Sequence, residues 1–104
     1  MKKFISMILV AVSLMTLSLS SALAYTGKVT ASPYMSLRSS AEIPTDQPGK
    51  NIKAYVPKGK TVTFTSKTVT NGFLYLTKAP SHTKRDFSDT CVNRSGYGHE
   101  DYIQ

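Results

Sequence analysis

Cys91, His82 and His99 are the side chains of this 104-residue chain best suited to nucleophilic chemistry, with Asp86 and Asp89 in the same stretch. A thiol beside an imidazole is the arrangement of a cysteine peptidase. Wall-cleaving enzymes of that type carry a separate catalytic domain larger than this chain can supply, and no orienting third group or cleft is indicated, so the reading is not an enzyme. The same five residues have no zinc-type ligand spacing, and no metal site follows from them. Signatures for phosphate-binding loops, dinucleotide folds and calcium loops are absent, so no cofactor is implied. Cys91 is the only cysteine, which excludes an internal disulfide. A lone thiol can stay free, link two chains or lie half-buried; without a cationic helix start nearby, the inert reading is favoured.

Aromatic residues carry the stronger signal. Tyr25, Tyr34, Tyr55, Tyr75, Tyr97, Tyr102 and Phe73 are too many for one thin core to hide. Tyrosine suits binding faces, because it combines rigid area with a polar tip.

The elements that must position these aromatics read as strands. Met35 and Leu37 alternate with Ser36 and Arg38, Ile52, Ala54 and Val56 with Lys53 and Tyr55, and Val62 and Phe64 with threonines. Pro57-Lys58-Gly59 forms a turn, and Asn71-Gly72 is a strong two-residue hairpin signal. In "FLYLT", alternation sends Leu74 and Leu76 inward and Phe73 and Tyr75 outward. No sustained helical period follows, so the expected fold is all-β: a small barrel of roughly five short strands. Its expected core is Val29, Met35, Leu37, Ile52, Ala54, Val56, Val62, Phe64, Leu74, Leu76 and Ile103. "KAPSHTKRDFSDTCVNRS", residues 78 to 95, reads as a long loop.

Residues 1 to 24 read as a cleaved secretory signal peptide: Met1-Lys2-Lys3, an apolar run from Phe4 to Leu19, then Ala22-Leu23-Ala24. Serines and a threonine dilute the apolar run, which argues against a membrane anchor, so no stable membrane insertion is expected after cleavage. The mature domain would span 25 to 104 and be secreted or associated with the cell envelope. Losing Lys2 and Lys3 leaves eleven basic residues against six acidic, a net charge of +5. That favours anionic surfaces without implying a specific nucleic acid.

"TGKVTASPYMSLRSS", "VPKGKTVTF", "NGFLYLT" and "GYGHEDYI", in this order, resemble the bacterial SH3-like domain. The resemblance covers most of residues 26 to 104. It implies an SH3-like barrel in which "GYGHEDYIQ" forms a last strand plus a closing 3₁₀ turn. It also implies a ligand groove lined by Tyr34, Phe73 and Tyr102. Tyr97 joins this ligand-binding set, although it and Tyr55 could equally cover barrel edges. Phe73 stands where the family usually has tryptophan, a smaller platform without an N–H.

Two functions remain open at this level. One is a secreted module that binds a cell-wall, peptidoglycan-type peptide or glycan-peptide through the aromatic groove. The other is an interaction or inhibitor module whose partner is another secreted protein. On the leader, the expected product of export begins at Tyr25 and has 80 residues. Mass spectrometry of secreted material checks this; an intact amino terminus in a membrane fraction would overturn it.

Overall fold

A computed structural model describes residues 24–104 of the chain, so the expected signal peptide lies almost wholly outside the described residues. Seven strands form: β1 (Tyr25–Lys28), β2 (Tyr34–Arg38), β3 (Ile52–Pro57), β4 (Thr61–Phe64), β5 (Val69–Thr70), β6 (Phe73–Ser81) and β7 (Val92–His99), followed by a 3₁₀ turn at Glu100–Tyr102. They make one antiparallel sheet in the order β1-β4-β6-β7-β2-β3, with β5 beside β6. The described residues are therefore all-β, as the alternating pattern requires. The expected barrel of about five strands becomes a seven-stranded sheet without a closed ladder. Two hydrogen bonds between Tyr55 and His82, at 2.7 and 2.9 Å, tie the far strand β3 to the residue following β6.

Local chemistry accounts for most of the turns. Asn71 and Gly72 both take positive φ, 52° and 85°, and join β5 to β6 as a two-residue hairpin. Gly59 adopts φ 89° in the turn between β3 and β4, where only a residue without Cβ avoids a steric penalty.

One face of the sheet holds the core. Met35, Leu37, Ala54, Val56, Val62, Phe64, Leu74 and Leu76 are buried with Val29, as the alternation predicts. Two expected members differ. Ile52 is only half-buried, because the ladder of β2 and β3 shifts register between Leu37 and Arg38 and displaces it from the regular alternation. Ile103 packs against the core while remaining partly exposed. Ala79, not expected in the core, is fully buried.

Its burial follows from a second difference. The segment from Lys78 to Ser81 is strand, not loop: β6 continues past an irregularity between Leu76 and Ala79 and pairs Ala79, Pro80 and Ser81 with Arg94, Asn93 and Val92. The connection between β6 and β7 thus shrinks from the expected 78 to 95 to residues 82 to 91. Small residues and a proline hid this strand, since both weaken a β signal.

Strand β7 lies between β6 and β2 and supplies no side chain to the core at two positions. A Cβ on Gly96 would stand 2.9 Å from the Arg38 carbonyl oxygen and from Leu37 Cγ, and one on Gly98 would stand 2.7 Å from Met35 Cε. Gly96→Ala is expected to lower stability by about 1 to 3 kcal/mol through overpacking, and Leu76→Ala by about 2 to 5 kcal/mol through cavity formation. Denaturant unfolding measures both. An unchanged midpoint for Gly96→Ala would mean that β2 and β7 are not packed this closely.

Candidate functional site

The outer side of β2 and β7 opens into a groove of about 510 Å³. Tyr34, Ser36 and Arg38 reach it from β2, the positions that alternate with buried Met35 and Leu37. Phe73 comes from the start of β6, His99 from the end of β7, and Asp101 and Tyr102 from the 3₁₀ turn. Ile43, from the loop after β2, completes one side.

Hydrogen bonds hold the closing segment in place. The Gly72 carbonyl accepts from the Glu100 amide at 2.8 Å, which fixes the 3₁₀ turn to the tip of the β5–β6 hairpin. His99 caps that turn, its Nδ1 accepting from the Asp101 amide at 3.2 Å. An acceptor at Nδ1 requires the proton of the neutral ring to sit on Nε2. The imidazole also packs edge-on against Phe73 at 5.1 Å and beside Tyr102 at 5.6 Å.

The loop that brings in Ile43 is held from inside the groove. Arg38 Nη1 donates to the Pro48 carbonyl at 2.6 Å and to Asn51 Oδ1 at 2.7 Å. Asn51 Nδ2 donates in turn to Ser40 Oγ and the Glu42 carbonyl, and Asn71 Nδ2 reaches the Ala41 carbonyl at 3.1 Å. Partial burial lowers the pKa of Arg38 from its ordinary value. Much of its donor capacity is spent on the loop, so Arg38 is first a brace.

The groove brings together three of the four residues expected at the site: Tyr34, Phe73 and Tyr102. Tyr97 lines no part of it; its ring packs against Tyr75 at 5.1 Å, on the pair of positions next along β6 and β7. Phe73, expected to be an open platform, is only 4% exposed. It does lie outside the Leu74–Leu76 core cluster, but the closing segment covers it with His99. Tyr102, at 48%, is the most accessible aromatic of the groove. The sequence put His99 and Asp101 in the closing strand and turn without marking either as a groove residue, and Ile43 gave no signal within a polar, proline-containing stretch.

Beside the groove, the β6–β7 connection is organised by Asp89. Its carboxylate accepts from the Thr83 amide at 2.7 Å, the Thr83 hydroxyl at 2.9 Å and the Lys84 amide at 3.2 Å. His82 Nδ1 donates to the Asp89 carbonyl at 2.8 Å. Among the described residues, no group of three or more His, Cys, Asp or Glu side chains could hold a metal ion, and no helix is long and apolar enough to cross a membrane. Cys91 is half-buried and unpaired. Comparison with protein families, curated proteins and solved structures finds no match to this chain.

The Asp89 interactions have a pH signature. Hydrogen bonds from the Thr83 amide first, then from the Thr83 hydroxyl and Lys84 amide, hold its pKa well below the usual carboxylate value. A depressed folded-state pKa means that the ionised carboxylate contributes fully above the unfolded value, about 4, and that the contribution is lost as pH falls through the lower folded value. Amide-exchange protection at Thr83 and Lys84 is therefore expected to persist from neutral pH to about 4 and to fall only in stronger acid. Asp89→Ala should remove it throughout. Loss of protection already near neutral pH in the parent would show that the carboxylate is not the anchor.

Proposed function

We propose that this protein is a secreted, SH3-like binding module that lays an extended cell-wall peptide or glycan-peptide across the Tyr34–Tyr102 groove. The observation that carries the reading is the convergence of Tyr34 and Tyr102 on one open groove with polar groups at its margins. Exposed, rigid aromatic area beside a few oriented polar groups suits an extended ligand. Ser32 and Ser36 offer hydroxyls, and the Asp101 carboxylate, largely exposed, can accept from ligand amides or ammonium groups. The order of the resembling segments, the hairpin, the 3₁₀ turn after β7 and the leader-like first 24 residues support the SH3-like and secreted parts of the proposal.

The basic turn of Lys58 and Lys60 adds a second attraction. Lys58 donates its amide to the Pro33 carbonyl at 3.1 Å, and Tyr34 pairs with Pro57, so this turn borders the Tyr34 end of the groove. Exposed lysines there would draw anionic wall polymers at long range and be screened by salt. The alternative partner, another secreted protein, would use the same aromatic face.

Sedimentation with purified, protein-stripped cell walls tests the reading. Tyr102→Ala and Tyr34→Ala are each expected to weaken binding by about 1 to 3 kcal/mol. Phe73→Ala should lower affinity and stability together, since the ring is nearly buried. Replacing Lys58 or Lys60 should weaken binding modestly and chiefly at low salt. Parental binding by both tyrosine variants would move the ligand away from this groove, and failure of the parent to bind walls would leave a secreted protein as the partner to seek.

A further inference from the structure

The β6–β7 loop reaches a wall of the groove through an aromatic pair. Phe87, at the middle of the loop, packs edge-on against Tyr34 with ring centroids 6.5 Å apart and also lies beside the His82 ring at 5.1 Å. Tyr34 lines the groove and also packs edge-on against Tyr55 at 4.8 Å. The Tyr34 ring is thus braced by two aromatic neighbours, one on strand β3 and one from the loop.

Phe87 is held there against its own backbone preference. Its φ is 61°, in the left-handed region that bulky residues seldom occupy. Around it, the Lys84 carbonyl accepts from the Phe87 amide at 3.1 Å, and Asp86 Oδ1 accepts from the Ser88 amide at 3.1 Å. Asp89 joins the two limbs of the loop through Thr83 and Lys84. A loop serving only as a connection would have no need to turn a phenylalanine through this conformation onto another element.

We propose that Phe87 is a positioning residue for ligand binding: it fixes the Tyr34 ring as a wall of the groove, and the Asp89-organised loop exists to hold Phe87 in place. This rests on the groove reading above and adds a regulator of affinity located outside the groove, since Phe87 does not line it. It also makes the groove and the long loop parts of one device. Changes within the loop alter affinity through one ring contact, without a ligand ever touching the loop.

A double-mutant cycle on protein-stripped cell walls tests the proposal. Phe87→Ala is expected to lower affinity about threefold to tenfold, the scale of an aromatic pair, with little change in thermal midpoint. Phe87→Tyr, which keeps the ring, should restore parental binding. In a Tyr34→Ala background, Phe87→Ala should have no further effect. Additive losses would overturn the proposal by showing that Phe87 acts independently of Tyr34, as would parental affinity of Phe87→Ala. Tyr102→Ala separates the two levels of inference: weakened binding there with parental binding by Phe87→Ala removes the positioning role and leaves the groove. A second measurement needs no ligand. Ring proton resonances of Tyr34 should shift and its ring flips quicken in Phe87→Ala and Asp89→Ala; an unperturbed Tyr34 ring overturns the proposal whether or not walls are bound.

Discussion

The sheet depends on how closely β7 approaches its neighbours. Leu37 and Met35 of β2 and Leu76 of β6 share the space above Gly96 and Gly98, where a strand with ordinary side chains would have pushed the two halves apart. Close packing of this kind tolerates little added volume. The two glycines leave the inner face of β7 to its neighbours' side chains, while Tyr97 and His99 between and after them point the other way. One strand therefore draws the core together on one side and presents rings on the other. Three groove elements are anchored to it, β2 and β6 as neighbours and the 3₁₀ turn as its continuation.

Tyr34, Phe73 and Tyr102 come from distant parts of the chain, and their convergence has identifiable causes. The Asn71-Gly72 hairpin places Phe73 at the start of β6 and lends its Gly72 carbonyl to the closing segment. His99 then spans Phe73 and Tyr102 while capping the turn that carries Tyr102. The Arg38–Asn51 network fixes the loop bearing Ile43. Backbone and side-chain hydrogen bonds thus set the groove's outline, and the aromatic rings fill its surface.

The strands were legible where period two was clean, as at Met35 and Leu37, Ala54 and Val56, or Leu74 and Leu76. Asn71-Gly72 was legible because few other pairs accept two positive φ values. The second half of β6 was not, because Lys78-Ala79-Pro80-Ser81 lacks β-branched and aromatic residues and contains a proline. Alternation correctly sent Phe73 away from the core cluster, yet it could not reveal that His99 would cover it. The contact between Phe87 and Tyr34 was equally hidden. It depends on a loop conformation set by side-chain to backbone bonds from Asp89, and such bonds leave no periodic trace.

The end of β1 also meets the residues that follow the 3₁₀ turn. Lys28 donates its amide to the Gln104 carbonyl at 3.0 Å and accepts from the Gln104 amide at 2.9 Å, while Val29 bridges Ile103. These contacts enclose nearly the entire domain, so their formation carries the largest loop-closure entropy in the fold and belongs late in folding. A chain emerging from a ribosome, or threaded lengthwise through a narrow passage, can build the hairpins early. It cannot finish the surroundings of Lys28 and Val29 until Ile103 and Gln104 are free to pair with them. Complete folding is thereby timed to the arrival of those two residues.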